Sequence, residues 1–399
     1  MPQIKPEVET FARIKVLGVG GSGRNAINHM INSKVRGVEF IAINTDAQDL
    51  HNSLAKKKIH IGKNLTRGLG TGMNPELGRR AVDEAQEEVR EAIAGADMVF
   101  IACGAGGGTG SGAAPRIAQI SKELGALTVA VITKPFFFEG LQRMRIAEQA
   151  IEELRSVVDA MIVIPNDRLL SIISKETTAK SAFAMCDEVL RQAVEAISDL
   201  ITTPGLINID FADVKAIMEN AGPALMGIGS AAGEKRAEEA AKIAINSPLL
   251  ELSIAGAKGV LFSIAGGDDL TMFEIQDAAK IITESVDPSA KIIFGTIRND
   301  GMKKGEVRIT VIATGFPENA IRKSIFQETS GSKPMEKRID DTEKKGKIYN
   351  TIPTPSTTST PVKTEDSQTE KKPIPAQPDD MDDDEWSAVP AFLRRSKLK

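Results

Sequence analysis

The sequence predicts an α/β protein in which a parallel-sheet domain is joined by a long helix to a smaller α+β domain and then to a disordered C-terminal tail. Three observations carry this. Between residues 12 and 165, short continuous apolar runs alternate with helical patterns, as expected for strands buried on both faces of a parallel sheet. From about Lys175 to Thr202, Phe183, Cys186, Leu190, Val194, Ile197 and Ile201 recur every three or four residues, which makes one long amphipathic helix. From Glu328 to Glu385 there is no Phe, Leu or Trp while Pro, Ser, Thr, Lys and Asp abound, so this stretch buries too little apolar surface to offset its ordering entropy.

In chain order, the strands of the first domain are read at Ile14–Val19, Phe40–Asn44, Met98–Cys103, Leu127–Thr133 and Met161–Pro165. Helical patterns cover Asn25–Ile31, Gly78–Ile93, Ala114–Leu124 and Leu141–Val157. Thr203-Pro204-Gly205 ends the long helix. Gly259–Ala265, Lys291–Ile297 and Glu306–Thr314 read as strands, the first two flanking a helical pattern at 270–286, which suggests a partly solvated sheet. The expected organisation is a flexible N-terminus at 1–11, a nucleotide domain at 12–176, the central helix at 177–202, the α+β domain at 203–316, a linker at 317–385 and a short apolar-basic peptide at 386–399.

Composition narrows the function. A net charge of −4 over 399 residues offers no global basic field for nucleic acid. Two cysteines, Cys103 and Cys186, cannot make a disulfide framework, which fits a reducing compartment. The N-terminal stretch MPQIKPEVET is acidic and lacks an apolar run, so a signal peptide is not expected. No stretch approaches the ~20 consecutive apolar residues of a spanning helix. A soluble cytoplasmic protein is the expectation.

Three glycine-rich segments point to chemistry. Gly18-Val19-Gly20-Gly21-Ser22-Gly23 follows the first strand and opens a helix. Alone it is a weak signal: a tight strand-to-helix turn, or the dinucleotide-binding turn of a Rossmann oxidoreductase that uses NAD, would look similar. Gly104-Ala105-Gly106-Gly107-Gly108-Thr109-Gly110-Ser111-Gly112 follows the strand ending at Cys103 and opens another helix. So many glycines are entropically costly and make sense where backbone touches a ligand. Free amides at helix N-termini bind phosphate, and Thr109 and Ser111 add hydroxyl donors. Arg67-Gly68-Leu69-Gly70-Thr71-Gly72 supplies a third such loop, and three loops around one sheet suit a triphosphate. The GxxxxGK motif of a P-loop is missing.

At this point the sequence resembles the FtsZ family, the bacterial tubulin homologues. GGGTGSG at 106–112 looks like the tubulin signature loop, and GVGGSGRNAIN at 18–28 and AAP at 113–115 look like FtsZ. Lys134-Pro135-Phe136-Phe137-Phe138-Glu139-Gly140 resembles the family's KPFxFEG loop, and Asn208–Val214 its NxDFADV loop. The similarity runs from about Ala12 to Phe316, with an echo at the C-terminus. It implies a Rossmann-like GTPase domain in the tubulin/FtsZ fold, GTP and GDP as ligands, and Mg²⁺ held mainly by the nucleotide and water, with no side-chain ligand assigned.

Residue by residue, the resemblance places nucleotide on Gly20, Gly21, Ser22, Gly23, Arg24 and Asn25, on Gly70, Thr71 and Gly72, and on Gly107, Gly108, Thr109 and Gly110. It puts Glu139 and Arg143 at the ribose end, adds Asn166, and gives base recognition to Phe183 and Asp187. Asp187 is also arguable from chemistry. Guanine presents two parallel N–H donors that match the two oxygens of a carboxylate, whereas adenine presents an acceptor at one of those positions. The plain alternative is an i,i+4 pair between Asp187 and Arg191. Likewise the plain alternative for Arg143 and Arg145 is decoration of an exposed helix start, and for Glu139 a first-turn acid.

Asn208, Asp210 and Asp213 follow the long helix. By themselves they read as a helix N-cap starting Val214–Asn220. The resemblance makes them catalytic on the next subunit's GTP, with the two aspartates polarising water and Asn208 supporting the loop. It therefore implies a homopolymer built head to tail, a role in the cell-division ring, and GTP hydrolysis at subunit joints. His29, His51 and His60 show no metal-ligand spacing, and Cys103 reads as core. Val389-Pro390-Ala391-Phe392-Leu393-Arg394-Arg395 resembles the family's C-terminal peptide, which implies a membrane-tethering adaptor and division regulators as partners and only indirect membrane contact; the acidic run Asp382–Glu385 with Trp386 departs from the usual pattern. A tubulin-like filament with another task is the remaining alternative to a division protein.

Overall fold

A computed structural model describes residues 12–170, 176–203, 205–247, 250, 253–298, 302–303 and 305–316, all within one contact unit, Met1–Lys333. The expected N-terminal segment 1–11, linker 317–385 and peptide 386–399 lie outside the described residues. The first half runs β1 (Ile14–Val19), α1 (Gly20–Asn32), β2 (Val38–Asn44), α2 (Ala47–His51), β3 (Lys57–His60), α3 (Lys63–Thr66), α4 (Pro75–Glu84), α5 (Gln86–Ile93), β4 (Met98–Gly104), α6 (Gly108–Glu123), β5 (Leu127–Lys134), α7 (Leu141–Val157), β6 (Ala160–Pro165) and α8 (Asn166–Leu170). A 3₁₀ turn, Phe137–Glu139, precedes α7. The second half follows as α9 (Ala179–Thr202), α10 (Phe211–Met218), β7 (Gly222–Ala232), α11 (Arg236–Ile245), β8 (Gly259–Gly266), α12 (Met272–Glu284), β9 (Lys291–Arg298) and β10 (Glu306–Thr314).

The strands form one sheet in the order β3-β2-β1-β4-β5-β6-β7-β10-β8-β9. The first six are parallel, with Val16 opposite both Phe40 and Phe100. Consecutive residues of each strand feed opposite faces: Val16 belongs to the core beneath α1 and α9, and Leu17 to the core shared with α4–α7. That is why these strands read as unbroken apolar runs. The β6–β7 step is a short parallel contact of three residue pairs, from Ala160 opposite Gly222 to Ile162 opposite Ala224, and β10 then pairs antiparallel with both β7 and β8.

Helix α9 joins the halves. Thr178 caps it, its hydroxyl accepting from Ser181 N at 3.2 Å. Its buried face, Cys186, Val189, Leu190, Ala193, Val194, Ile197 and Leu200, shares one core cluster with Val129 and Ile164 of the first half and with Met226, Leu261 and Ile312 of the second. Domain placement therefore rests on apolar packing along one helix.

The structure corrects several sequence readings. The helix expected over Gly78–Ile93 is two helices broken at Ala85, the long helix begins at Ala179 rather than Lys175, and the short helix expected at Val214–Asn220 begins at Phe211. The glycine-rich 104–112 segment follows the fourth strand, because the edge strand Lys57–His60 carries only one buried residue, Ile59, and gives no apolar run. Strand β7 is also new. Its sequence, GPALMGIGSAA, lacks β-branched alternation because its glycines serve close packing. A Cβ at Gly227 or Gly229 would stand 2.0 Å from Ala244 O or Ala240 O. Helix α11 lies against these positions with its small face, Ala237, Ala240, Ala241 and Ala244. Gly229→Val is expected to lower stability by about 1–3 kcal/mol in denaturant unfolding, since the obstructing atom is backbone; an unchanged midpoint would show that α11 is not seated on β7.

Candidate functional site

In the first half the strand order 3-2-1-4-5-6 reverses between β1 and β4, and ligands of such sheets bind at that point beyond the carboxyl ends. A cavity of about 550 Å³ opens there, lined by the strand ends Val19, Gly104 and Thr133 and by the starts of α1 and α6.

One end of the cavity is built for an anion. Helices α1 and α6 begin on Val19 and Gly107, with no side-chain cap and no acid in the first turn. Their leading amides are thus unsatisfied, at the positive end of two helix dipoles. Gly20 makes the turn possible: its φ is +72°, and a Cβ would lie 3.1 Å from Gly110 N, where the two helix starts meet. Gly20, Gly21, Ser22, Asn25, Gly107, Gly108, Thr109 and Gly110 line the cavity, as do Thr71 and Gly72. Thr109 Oγ1 lies 2.9 Å from Thr45 Oγ1 and 3.3 Å from Thr71 Oγ1, which ties the 67–72 loop to α6. Ser111 does not act as the expected ligand donor. It is buried, and its Oγ accepts from Gly106 N at 2.9 Å, shaping the loop instead.

Three of the residues expected on nucleotide stand off the lining. Gly23 faces the sheet, where a Cβ would lie 2.3 Å from Ala102 O. Gly70 opens to space, with no atom within 4 Å of a Cβ position. Arg24 is paired with Asp49.

The other end carries Glu139, Arg143, Asn166, Phe183, Cys186 and Asp187. Glu139 is more than a first-turn acid, and Arg143 more than decoration. Glu139 Oε1 accepts from Phe136 N at 3.0 Å and Oε2 from Arg143 Nη1 at 2.8 Å, so the pair is a fixed polar wall. Phe183 stands edge-on to Phe136, with centroids 5.3 Å apart at 86°, and is 47% exposed, leaving a ring face open at the cavity. Asp187 has no hydrogen-bond partner among the described residues, and burial pushes its carboxyl up to about 6 against the opposing pull of His29 and Arg24. The alternative pairing with Arg191 does not occur: Arg191 donates to Glu188 at 2.6 and 2.8 Å and also to Glu195. Asn166 Oδ1 is buried with no protein partner, so the cavity holds an unfilled acceptor. Burial also raises the Cys186 thiol to about 12, keeping it neutral.

Asn208, Asp210 and Asp213 are not brought to this cavity. The loop before α10 is clasped to β9: Ile207 N donates to Thr296 Oγ1 at 2.8 Å, and Thr296 N to Ile207 O at 3.0 Å. Asn208 Oδ1 accepts from Gly205 N at 2.7 Å, a hydrogen bond within the loop. Asp210 occupies the N-cap position of α10, but its side chain makes no capping bond. Both Asp210 and Asp213 are exposed, and neither carboxylate has a hydrogen bond or ion pair among the described residues.

Lining residues that sequence reasoning missed are Val19, Met73, Gly104, Ala105, Thr133, Pro135 and Cys186. Thr133 was findable, because it ends β5 on the side where ligands bind. Met73 was not, since its place depends on the positive φ of +63° that it adopts after Gly72.

The fold and the cavity define a tubulin-type nucleotide-binding protein: residues 13–174 match the Tubulin/FtsZ family GTPase domain, and residues 222–317 match the FtsZ family C-terminal domain. An FtsZ dimer from M. jannaschii is 48% identical, with a TM-score of 0.74 over 77% of this chain and 89% of that one. A point mutant of FtsZ from the same organism aligns equally well, at 48% identity and TM-score 0.74, over 77% of this chain and 92% of that one. CetZ2 from Haloferax volcanii, solved as a GTPγS-bound protofilament, shares the fold at 20% identity and TM-score 0.66 over 80% of this chain and 100% of that one. The chain belongs to the FtsZ family of GTPases.

The Asp187 carboxyl yields a pH prediction. Its ionised form, the one that accepts two N–H donors, is lost as pH falls through about 6. Guanine-nucleotide affinity should therefore drop over that range, and Asp187→Asn should flatten the profile. Asp187→Ala should cost about 1–3 kcal/mol of GTP binding with the GTP preference over ATP narrowed. Titration calorimetry showing a pH-independent affinity would remove Asp187 from base recognition.

Proposed function

We propose that the protein is a self-assembling GTPase of cell division, hydrolysing GTP where one subunit meets the next. The observation that carries this is a separation of parts. The cavity supplies unsatisfied amides and hydroxyls for a triphosphate, yet its two lining carboxylates are both at the other end: Glu139 is engaged by Arg143, and Asp187 sits beside Phe183. The unengaged carboxylates, Asp210 and Asp213, stand on a clasped loop of the second half. Phosphoryl transfer needs positioning and charge stabilisation more than covalent help, so a loop that brings two carboxylates to a bound triphosphate is sufficient. A second copy of the chain delivers that loop.

Such a contact joins two different surfaces, so it repeats into a filament rather than closing as a dimer. The dimeric and protofilament forms of the relatives support this reading. In it, Asp210 and Asp213 orient the attacking water, Asn208 holds their loop, and Asp187 with Phe183 selects guanine. Among the described residues no three His, Cys, Asp or Glu side chains are grouped for a metal. A magnesium ion would be carried mainly by phosphate oxygens and water, lending charge neutralisation at the phosphates. The C-terminal peptide 386–399 would bind an adaptor and division regulators, holding filaments near the cytoplasmic face of the membrane at the division site.

Complementation in trans tests the split site. Asp210→Ala and Asp213→Ala should still bind GTP but turn over about 10²–10⁴-fold more slowly. In Gly108→Ala the added Cβ would lie 2.1 Å from Thr71 Oγ1 and 2.6 Å from Asn74 N, which should block nucleotide binding. Mixing the two kinds of variant should restore part of the hydrolysis, since each carries the half that the other lacks. No recovery in the mixture, with each variant folded, would place both halves in one chain.

A further inference from the structure

Arg24 is the fifth residue of α1, three residues after the cavity-lining Gly21, yet it points away from the cavity to Asp49 of α2. The pair is made by Arg24 Nη2 and Asp49 Oδ1, and Arg24 Nε is buried with no partner. Asp49 Oδ2 accepts from Asn44 Nδ2 at 2.7 Å and lies 3.8 Å from where a Cβ on Gly21 would stand. A carboxylate is thus held against the amide-rich start of α1, where an anion is to bind, and a single guanidinium nitrogen compensates it.

Two features set this pair apart from a simple clasp between α1 and the loop after β2. That clasp already exists one turn further along, where Asn28 Oδ1 accepts from Leu54 N at 2.8 Å. The pair also connects to the cavity: Asn44 Oδ1 accepts from Thr45 N at 2.8 Å, and Thr45 Oγ1 meets Thr109 Oγ1 at 2.9 Å. With its buried Nε unused, the guanidinium does not make with Asp49 the two-point contact that it can make with an oxyanion.

We propose that Asp49 is a specificity-determining residue that grades nucleotide affinity by phosphate charge, holding Arg24 as a latch which transfers to the phosphates as their charge increases. Asp49 opposes an anion at the start of α1, and Arg24 relieves that opposition. The more negative the ligand, the more the guanidinium gains by leaving Asp49. This rests on the guanine-nucleotide reading of the cavity.

Calorimetric affinities for GTP, GDP and guanosine test it, on the full chain and on Asp49→Asn, Arg24→Gln, Arg24→Lys and the double variant Asp49→Asn/Arg24→Gln. Removing one charge beside the phosphates should shift GTP affinity by about tenfold, GDP by less and guanosine not at all. Asp49→Asn should tighten GTP binding and Arg24→Gln weaken it. Arg24→Lys, with charge but no fork, should fall between Arg24→Gln and the unmodified chain. In the double variant the GTP effect of Arg24→Gln should change, because the two groups act together. Equal shifts for all three ligands, or none, with melting temperatures unchanged, would reduce the pair to a clasp and overturn the proposal. Absence of GTP binding by the unmodified chain would instead overturn the reading of the cavity on which the latch depends.

Discussion

The structure depends on two helix starts left without caps. Where β1 and β4 diverge, α1 and α6 begin on backbone alone, and Gly20 and Gly110 are close enough that the two sets of free amides converge. A protein normally satisfies such groups with Ser, Thr, Asp or Asn at the N-cap. In this chain Asp46 caps α2, Asn74 caps α4, Thr178 caps α9 and Thr271 caps α12, while α3, α5, α7, α10 and α11, like α1 and α6, lack a side-chain cap. What sets α1 and α6 apart is that their uncapped starts meet at the switch point, which leaves an electropositive place in a cavity of nucleotide size. The 67–72 loop, the Thr109 hydroxyl contacts and the Glu139–Arg143 wall are arranged around it.

The second half has a different logic. Beyond α9 it contributes no lining residue to the cavity, and its polar features serve rigidity. Arg236 is nearly fully buried and grips both Asp269 and Glu274, the latter also completing the capping box of α12. Thr296 clasps the loop that carries Asp210 and Asp213, and a Cβ on Gly205 would collide with Thr296 O at 1.6 Å. Exposed carboxylates on a rigidly held loop, rather than on a mobile one, suit a part presented to another molecule. Helix α9 fixes the distance between cavity and loop, because one apolar cluster runs along it from the first half into the second.

Much of this was legible in the residues. Strands buried on both faces announce themselves as apolar runs, so β1, β4 and β5 were found nearly to the residue. The glycine-rich turns were legible for the opposite reason, since their entropic cost demands a ligand or a close contact. What was hidden follows a pattern. Strand β7 is written in glycine and small residues because an alanine-faced helix packs on it, so its sequence carries packing information rather than periodicity. The resemblance places nucleotide on Arg24, whereas the structure pairs it with Asp49; a pair across 25 residues leaves no local signature. The reading of Asp187 as a guanine-facing carboxylate rests on the resemblance and on its chemistry, but its lack of a partner is a property of packing, as is the choice by Arg191 of Glu188 and Glu195.

The central claim is that no single chain holds a complete hydrolytic site. It is met most directly by measuring specific GTPase activity against protein concentration from the nanomolar to the micromolar range. A split site gives activity near zero when dilute, rising steeply above a threshold at which subunits join. Specific activity that stays constant over the whole range would mean that one chain hydrolyses GTP alone, and would contradict the account.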